Sequence, residues 1–368
     1  MKKTIENNSF LTDQIITYLG NKRSLLNFIE SGINIAKNEL NKKKLSCVDI
    51  FSGSGIVARF LKAHSNFLVA NDLELYSKII NECYLTNVNL ELQKDIDINF
   101  KILNKKIKEN LQPGFISEFY APKNDDFITK GERVFYTQYN ANFIDTTRSE
   151  ISKLPNDMQK FFLAPLLYLA SNHTNTSGVF KGFYKDKNGV GKFGGMGENA
   201  LKRICYKMHL IKPIFSNFSC DFNVYQKDAN TLAKELDSFD LCYIDPPYNQ
   251  HPYGSNYFML NLIASYQKPQ EISEISGIPK DWNRSNYNKK AVAKEAFCDL
   301  IKHLKAKFIL VSYNNEGIIS KDEFINTLKQ FGKVKILEQE YNAFRGSRNL
   351  NSRDIYVKEH LYILRKNI

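Results

Sequence analysis

Four short apolar runs in this chain stop abruptly at an acid, a glycine or a polar cluster. They are Val48–Asp49–Ile50 before the glycines of V-D-I-F-S-G-S-G, Phe67 to Ala70 before Asn71 and Asp72, Leu241 to Ile244 before D-P-P-Y, and Lys307 to Val311 before S-Y-N-N. Nearly continuous apolar runs of this length read as strands buried on both faces, the signature of a parallel sheet. Between them, apolar residues recur at helical spacing. Leu25, Phe28, Ile29 and Ile33 mark one amphipathic helix, and Ile56 to Ala63, Leu75 to Leu85 and Phe161 to Ser171 mark three more. Two β-rich runs close the chain, Val334 to Gln339 and Ile355 to Leu364, and read as an antiparallel pair. If the first runs parallel to the other strands, the loop between the two lies over their carboxyl edge. Residues 90 to 225 show no βαβ rhythm. The expected organisation is therefore an α/β fold in two stretches, 1–95 and 225–368, interrupted by a mainly helical insertion over 96–224.

The ends of the runs carry the chemistry. In L-C-Y-I-D-P-P-Y, Pro246 and Pro247 cannot donate to a ladder, so the strand ends at Asp245. That turn puts a carboxylate, a proline-stiffened carbonyl and the ring of Tyr248 in one place, a set able to grip a planar ring bearing an amino group. A packing turn capped by Asp245 is the plain alternative. Gly53 and Gly55 let the backbone approach a ligand, and the following helix points its first amides at it. The same look serves a dinucleotide, but the third glycine of that fingerprint is missing. Asp72, at the tip of the second strand, suits ribose hydroxyls, and equally the N-cap of the next helix. Tyr18, Gly20 and Lys22, in Y-L-G-N-K, run into the first amphipathic helix, with Lys22 offering a donor beside the glycine loop.

Composition narrows the partner. The 368 residues carry a net charge of +12 together with 20 Tyr and 26 Phe, which suits a polyanion such as DNA. Half of that charge falls between Lys181 and Lys212, where eight Lys and Arg face two acids. This window includes a glycine-rich piece from Gly189 to Gly197, and reads as a mobile basic DNA-reading segment that includes Lys181, Lys185 and Lys192. Arg345, Arg348 and Arg353, in the loop between the last two runs, stand ready for phosphates. The six cysteines are scattered without metal spacing, so reduced thiols and no metal are expected. No run approaches the roughly 18 apolar residues of a membrane span, and Met1 to Phe10 is polar, so a cytoplasmic protein is expected.

With these pieces in this order, the chain resembles the alpha-group DNA adenine methyltransferases. These are the Dam-type enzymes and the modification partners of type II restriction enzymes, the FokI-like branch being closest in texture. The family's opening aromatic, glycine and lysine match Tyr18, Gly20 and Lys22, its S-adenosylmethionine loop matches Phe51 to Gly55, and its catalytic D-P-P-Y matches Asp245 to Tyr248. The resemblance covers roughly 1–90 and 225–365. It implies a Rossmann-like methyltransferase sheet with an inserted target-recognition region. It also implies S-adenosylmethionine held by Tyr18, Lys22, Phe51, Ser52, Gly53, Ser54, Gly55, Asp72 and Leu73, and by Asp228, Ala229 and Asp245. Lys227 stands where the family usually has glycine or alanine, which weakens the match at Asp228. The implied catalytic group is Asp245, Pro246, Pro247 and Tyr248, acting on the 6-amino nitrogen of an adenine flipped out of double-stranded DNA. Tyr253 and Tyr257 would line the channel, and Arg345 and Arg348 would hold the strand. The resemblance leaves room for a cognate restriction endonuclease acting separately, whose existence the sequence does not reveal. Cytosine-N(4) enzymes commonly carry serine in place of the acid, so Asp245 favours adenine. A non-catalytic DNA-binding protein on the same fold is a further alternative.

Overall fold

The computed structural model describes residues 4–342 and 356–367. Seven strands form one sheet: β1 Leu45–Asp49, β2 Ser65–Asp72, β3 Asp221–Gln226, β4 Phe239–Ile244, β5 Ala306–Asn314, β6 Gly332–Asn342 and β7 Tyr356–Lys366. Their order is β3-β2-β1-β4-β5-β7-β6. β1 to β5 are parallel, and β7 runs antiparallel to both β5 and β6, so β6 has the direction of the parallel set. The order reverses between β1 and β4. In such a sheet this is where ligands bind, outside the carboxyl ends of the strands. β6 ends and β7 begins at that same edge, as the sequence suggested.

The principal helices are α1 Leu26–Leu40, α2 Ile56–Lys62, α3 Leu75–Tyr84, α4 Leu90–Glu109, α5 Gln138–Ile151, α6 Asn156–Asn172, α7 Ala229–Glu235, α8 Phe258–Ser265, α9 Ala293–His303 and α10 Lys321–Lys329. Strand side chains alternate between two faces, and each face has its own core. Cys47, Leu68, Leu241, Tyr243, Leu310, Leu361 and Ile363 pack against Ile29, Ile33 and Ala36 of α1 and Val57 and Leu61 of α2. Val48, Val69, Cys242, Ile244, Ile309, Val311 and Leu364 pack on the opposite face against α7, α9 and α10. The fit of α1 is close: a methyl group at Gly32 would meet Leu361 and Leu310 at 2.9 and 3.1 Å.

A third core joins α3 and α8 to α4, α5 and α6, so the helices between Leu90 and Asn172 are packed onto helices that follow β2 and β4. β3 begins at Asp221, inside the stretch that carries no strand signal in the sequence. It is an edge strand with no fully buried residue, so its pattern lacks the apolar run that marks the others. The N-terminal segment is pinned by Arg59, whose guanidinium donates to the carbonyls of Phe10, Asp13 and Gln14 at 3.1, 3.0 and 2.8 Å. The same guanidinium lies 3.5 Å from the centre of the Tyr84 ring. This fixes the lead-in to Tyr18. Among the described residues no helix is long and apolar enough to cross a membrane.

Candidate active site

The carboxyl edge opens into a cleft of about 830 Å³, counting the part open to solvent. Its floor is the glycine loop. Gly53 and Gly55 adopt φ of +48° and +77°, left-handed values that side chains rarely take. A methyl group at Gly53 would stand 2.8 Å from the Tyr18 ring. That ring has little room to give way, because it packs on both Tyr253 and Tyr257, at centroid distances of 4.9 and 4.7 Å, in a three-ring cluster in which those two also lie 5.9 Å from each other. The Tyr253 hydroxyl donates to the Leu19 carbonyl at 3.1 Å, and the Leu19 amide donates to the Tyr257 hydroxyl at 2.7 Å. The tyrosine stack thus sets the position of Tyr18 and the turn at Gly20.

Carboxylates line the cleft. Asp72 accepts from the Gly53 amide at 2.8 Å and the Glu74 amide at 3.0 Å, and burial raises its pKa to about 6 against those hydrogen bonds. Glu74 is raised to about 7, by burial first and by Asp72 second, while the side-chain amides of Asn261 and Asn283 pull it down. Asp49 is fully buried, and its pKa is raised well above the ordinary carboxylate range by burial, Asp245 and Asp72. Neither Asp49 oxygen has a hydrogen bond of good geometry, although the amides of Ala58 and Phe51 act against the rise. Asp228 caps α7 through the Thr231 amide at 3.0 Å and lines the cleft as well. Phe51, Ser52, Ser54, Leu73 and Ala229 line it too.

Asp245 follows β4 directly. The Lys22 ammonium lies 3.1 Å from Asp245 Oδ1 and 3.1 Å from Glu359 Oε1. Burial raises the Asp245 pKa to about 6, Lys22 opposes this, and Glu359 adds to it. For Lys22, burial is the largest influence and lowers the pKa, but Asp245 and Glu359 together outweigh it, and the ammonium is held charged. The D-P-P-Y turn is tied down on its far side: the Tyr248 carbonyl accepts from the Ile318 amide at 3.0 Å, and the Asn249 carbonyl from the Asn288 side chain at 2.7 Å. The Tyr248 ring meets Tyr313 edge-on and faces Gly20, where a methyl group would approach its hydroxyl to 2.9 Å. Its phenol is pushed up to about 12 by burial.

Most residues singled out from the sequence therefore meet at one edge, with three corrections. Tyr257 has no exposed surface to offer DNA, because it lies under Tyr18 as packing. Lys22 is not a free donor beside the glycine loop but the centre of a buried ion pair. The basic segment is not loose: Lys185 and Gly191 pair across a tight hairpin, and the Asp186 carboxylate accepts from the Asn188 and Val190 amides. Asn175, fully buried, ties that hairpin down by donating to the Val134 carbonyl and accepting from the Gly194 amide at 3.0 Å. Arg203 donates to the carbonyls of Asn172, Thr174 and Thr176, holding the segment that carries Asn175. Lys181 is exposed, Lys185 lies 5.0 Å over the Phe183 ring, and Lys192 pairs with Glu198 at 3.6 Å. Arg345, Arg348 and Arg353 lie outside the described residues. Asp49, Glu74 and Glu359 escaped the sequence reading. Asp49 and Glu359 stand in phase with buried apolar neighbours on their strands, a signal that was available.

A mostly parallel sheet, a glycine-floored and acid-rich cleft at its switch point, and an acid-proline-proline-aromatic turn beside that cleft define the class: an α/β methyltransferase. The sequence matches the D12 class N6 adenine-specific DNA methyltransferases over residues 18–327. The chain belongs to this family. It is 31% identical to the type II methyltransferase M.NlaIII of Neisseria lactamica, over 95% of this chain and 99% of that protein. It is 28% identical to M.CviAII of Paramecium bursaria Chlorella virus 1, over 95% and 98% of the two chains. It also shares 27% identity with M.FokI of Planomicrobium okeanokoites, aligning with 53% of that longer protein. The activity is thus site-specific methylation of adenine in DNA, for which such enzymes in general use S-adenosylmethionine, and neither the cytosine nor the non-catalytic alternative is favoured.

Proposed function

We propose that the chain is the modification half of a type II restriction-modification system. On this reading it binds S-adenosylmethionine over the Gly53–Gly55 floor and methylates an adenine rotated out of the duplex at Asp245–Tyr248. The observation that carries this is the acid lining of the cleft. Asp49, Asp72, Glu74 and Asp245 line it beside Lys22 and Lys227, and a bound cation would draw towards the anion carboxyls that burial holds towards the neutral form, Asp49 above all. Such a cleft suits a ligand bearing an ammonium and a sulfonium, and Asp72 at the tip of β2 suits its ribose. When bound, S-adenosylmethionine supplies an electrophilic methyl group.

The chain's own residues do the rest. The adenine amino nitrogen is a poor nucleophile while its lone pair is delocalised into the ring. The Asp245 carboxylate and the Pro246 carbonyl would accept the two amino hydrogens and favour the pyramidal, charge-developing geometry. Tyr248 would stack on the ring, its phenol neutral at working pH. Pro247 lines the cleft wall. Extruding the base costs a few kcal/mol, offset by contacts in the pocket. The stretch 96–224 would act as the target-recognition region, with Lys181, Lys185 and Lys192 on the phosphates. The enzyme would work in the cytoplasm, with a separate endonuclease cutting the unmodified site.

The test is to incubate plasmid DNA with methyl-labelled S-adenosylmethionine, digest it to nucleosides and map the modified positions. The expected product is N6-methyladenine at one short sequence, with protection from a nuclease cutting there. Label on cytosine, or spread over unrelated sequences, overturns the reading.

A further inference from the structure

Glu359 is fully buried, carries a carboxylate, and has one ion-pair partner among the described residues, Lys22. Its place follows from the sheet. Glu359 lies opposite Asn314 on β7, in phase with Leu361 and Ile363 on the face that α1 and α2 cover. Asp245 continues the phase of Leu241 and Tyr243 on that same face. Lys22, just before the turn Arg23–Leu25 that leads into α1, reaches both acids from above.

A single buried carboxylate is enough to neutralise a buried ammonium. A second leaves net negative charge in a dry place, which is unfavourable unless it serves something. The ammonium stands 3.1 Å from each acid, shared equally between two holders. Asp245 Oδ1, the oxygen facing Lys22, is also a buried acceptor with no well-formed hydrogen bond, as are both Glu359 oxygens. An arriving amino group needs that carboxylate. Without another holder, Lys22 would have to compete with the substrate or be stranded.

We propose that Glu359 is a positioning residue that takes the Lys22 ammonium when a target adenine engages Asp245, freeing the Asp245 carboxylate for the amino hydrogen while Lys22 stays paired. The inference rests on the reading of Asp245 as the acceptor of the adenine amino group. The groups around the trio are Tyr243 on β4, Tyr341 on β6, the Tyr248 phenol with Glu316 beyond it, and the Asp49 carboxylate on β1. All four tyrosine and aspartate neighbours have raised pKa values through burial, which leaves Asp245 and Glu359 as the nearby charges that matter to Lys22.

The test compares wild type with Glu359→Gln and Glu359→Asp, measuring kcat and kcat/KM on duplex DNA between about pH 5 and 9. Glu359→Gln removes a charge that raises the Asp245 pKa and commits Lys22 to Asp245. The expected result is a roughly ten- to hundredfold lower kcat, the worth of one charge-assisted hydrogen bond, and an acid limb of kcat/KM moved to lower pH. Affinities for S-adenosylmethionine and DNA stay near wild type. Glu359→Asp, which keeps the charge, restores the acid limb. An unchanged kcat, or a lost kcat with an unmoved acid limb in both variants, overturns the proposal. If Glu359→Gln does not fold, a structure of the wild type with DNA and a non-reactive cofactor analogue decides it: Lys22 on Glu359 alone supports the exchange, and Lys22 still on Asp245 refutes it. Failure of the underlying reading is separate, since it shows as an Asp245→Asn variant that still methylates adenine.

Discussion

Asp245 faces two opposed demands, because burial drives its carboxyl towards the neutral form while the proposed chemistry needs the anion. Burial and Glu359 hold its pKa at about 6 against Lys22. The acid must be ionised to accept an amino hydrogen, so kcat/KM should fall as pH drops through about 6, with a slope of one proton. A pH profile on duplex DNA checks this, and a limb near the ordinary carboxylate value of about 4 would contradict it. Asp245→Ala should lower kcat by at least about a hundredfold, the usual cost of losing a group aimed at developing charge. DNA binding should stay close to wild type in a filter or gel assay. Glu74 gives a stability counterpart. Its folded pKa, about 7, exceeds the unfolded carboxyl value, so the native state holds a proton that the unfolded chain has released. Stability is therefore lost as pH rises through that window. In the cofactor-free protein, Glu74→Gln should be more stable than wild type at pH 8 by on the order of 2–3 kcal/mol and about equal at pH 5, judged by urea unfolding.

At the scale of elements, the glycine loop, the tyrosine stack and the hairpin behave as units. Gly53→Ala would force a left-handed φ on alanine, at about 1–2 kcal/mol, and push its methyl into a Tyr18 ring packed against Tyr253 and Tyr257. Affinity for S-adenosylmethionine should fall roughly tenfold or more by calorimetry, with the far-ultraviolet dichroism unchanged. The loop was legible in the sequence because its signals are local: a strand, a glycine that needs positive φ, an acid at the next strand tip. The strands β1, β2, β4 and β5 were legible for the same reason, since burial on both faces writes an unbroken apolar run. β3 was not, because its alternating exposure at the sheet edge leaves polar residues throughout. Nor was the role of Tyr257, which depends on packing against Tyr18 from the other end of the chain. Glu359 was half legible. Its phase with Leu361 and Ile363 pointed inward, but its partner Lys22 lies near the opposite terminus, and no local pattern encodes that meeting.

At the scale of the whole molecule, the charge is divided: acids gather in the cleft, while the chain as a whole carries a net +12. On the proposed reading, this separation would keep an acidic pocket for a cationic cofactor inside a molecule that attracts a polyanion. The hairpin at Lys185–Gly191 is the sharpest local case, because it carries lysines yet is anchored by Asn175, in the segment 172–176 whose carbonyls Arg203 holds. If Lys181, Lys185 and Lys192 neutralise phosphates, each bound lysine releases about one counterion, and log Kd against log salt should be linear with a slope set by the number of contacts. Lys181→Ala and Lys185→Ala should each weaken DNA binding evenly across sequences and reduce that slope by about one. Arg203→Ala should differ in kind. It removes the donors that hold the segment 172–176, and with it the Asn175 anchor of the hairpin, without removing a phosphate contact, so the slope should stay near wild type while discrimination between the target and unrelated DNA falls and the hairpin becomes open to proteolysis. Measuring Kd for target and non-target duplexes across a salt series in all three variants separates the two roles. A salt slope unchanged in the lysine variants would remove this hairpin from the DNA-facing surface.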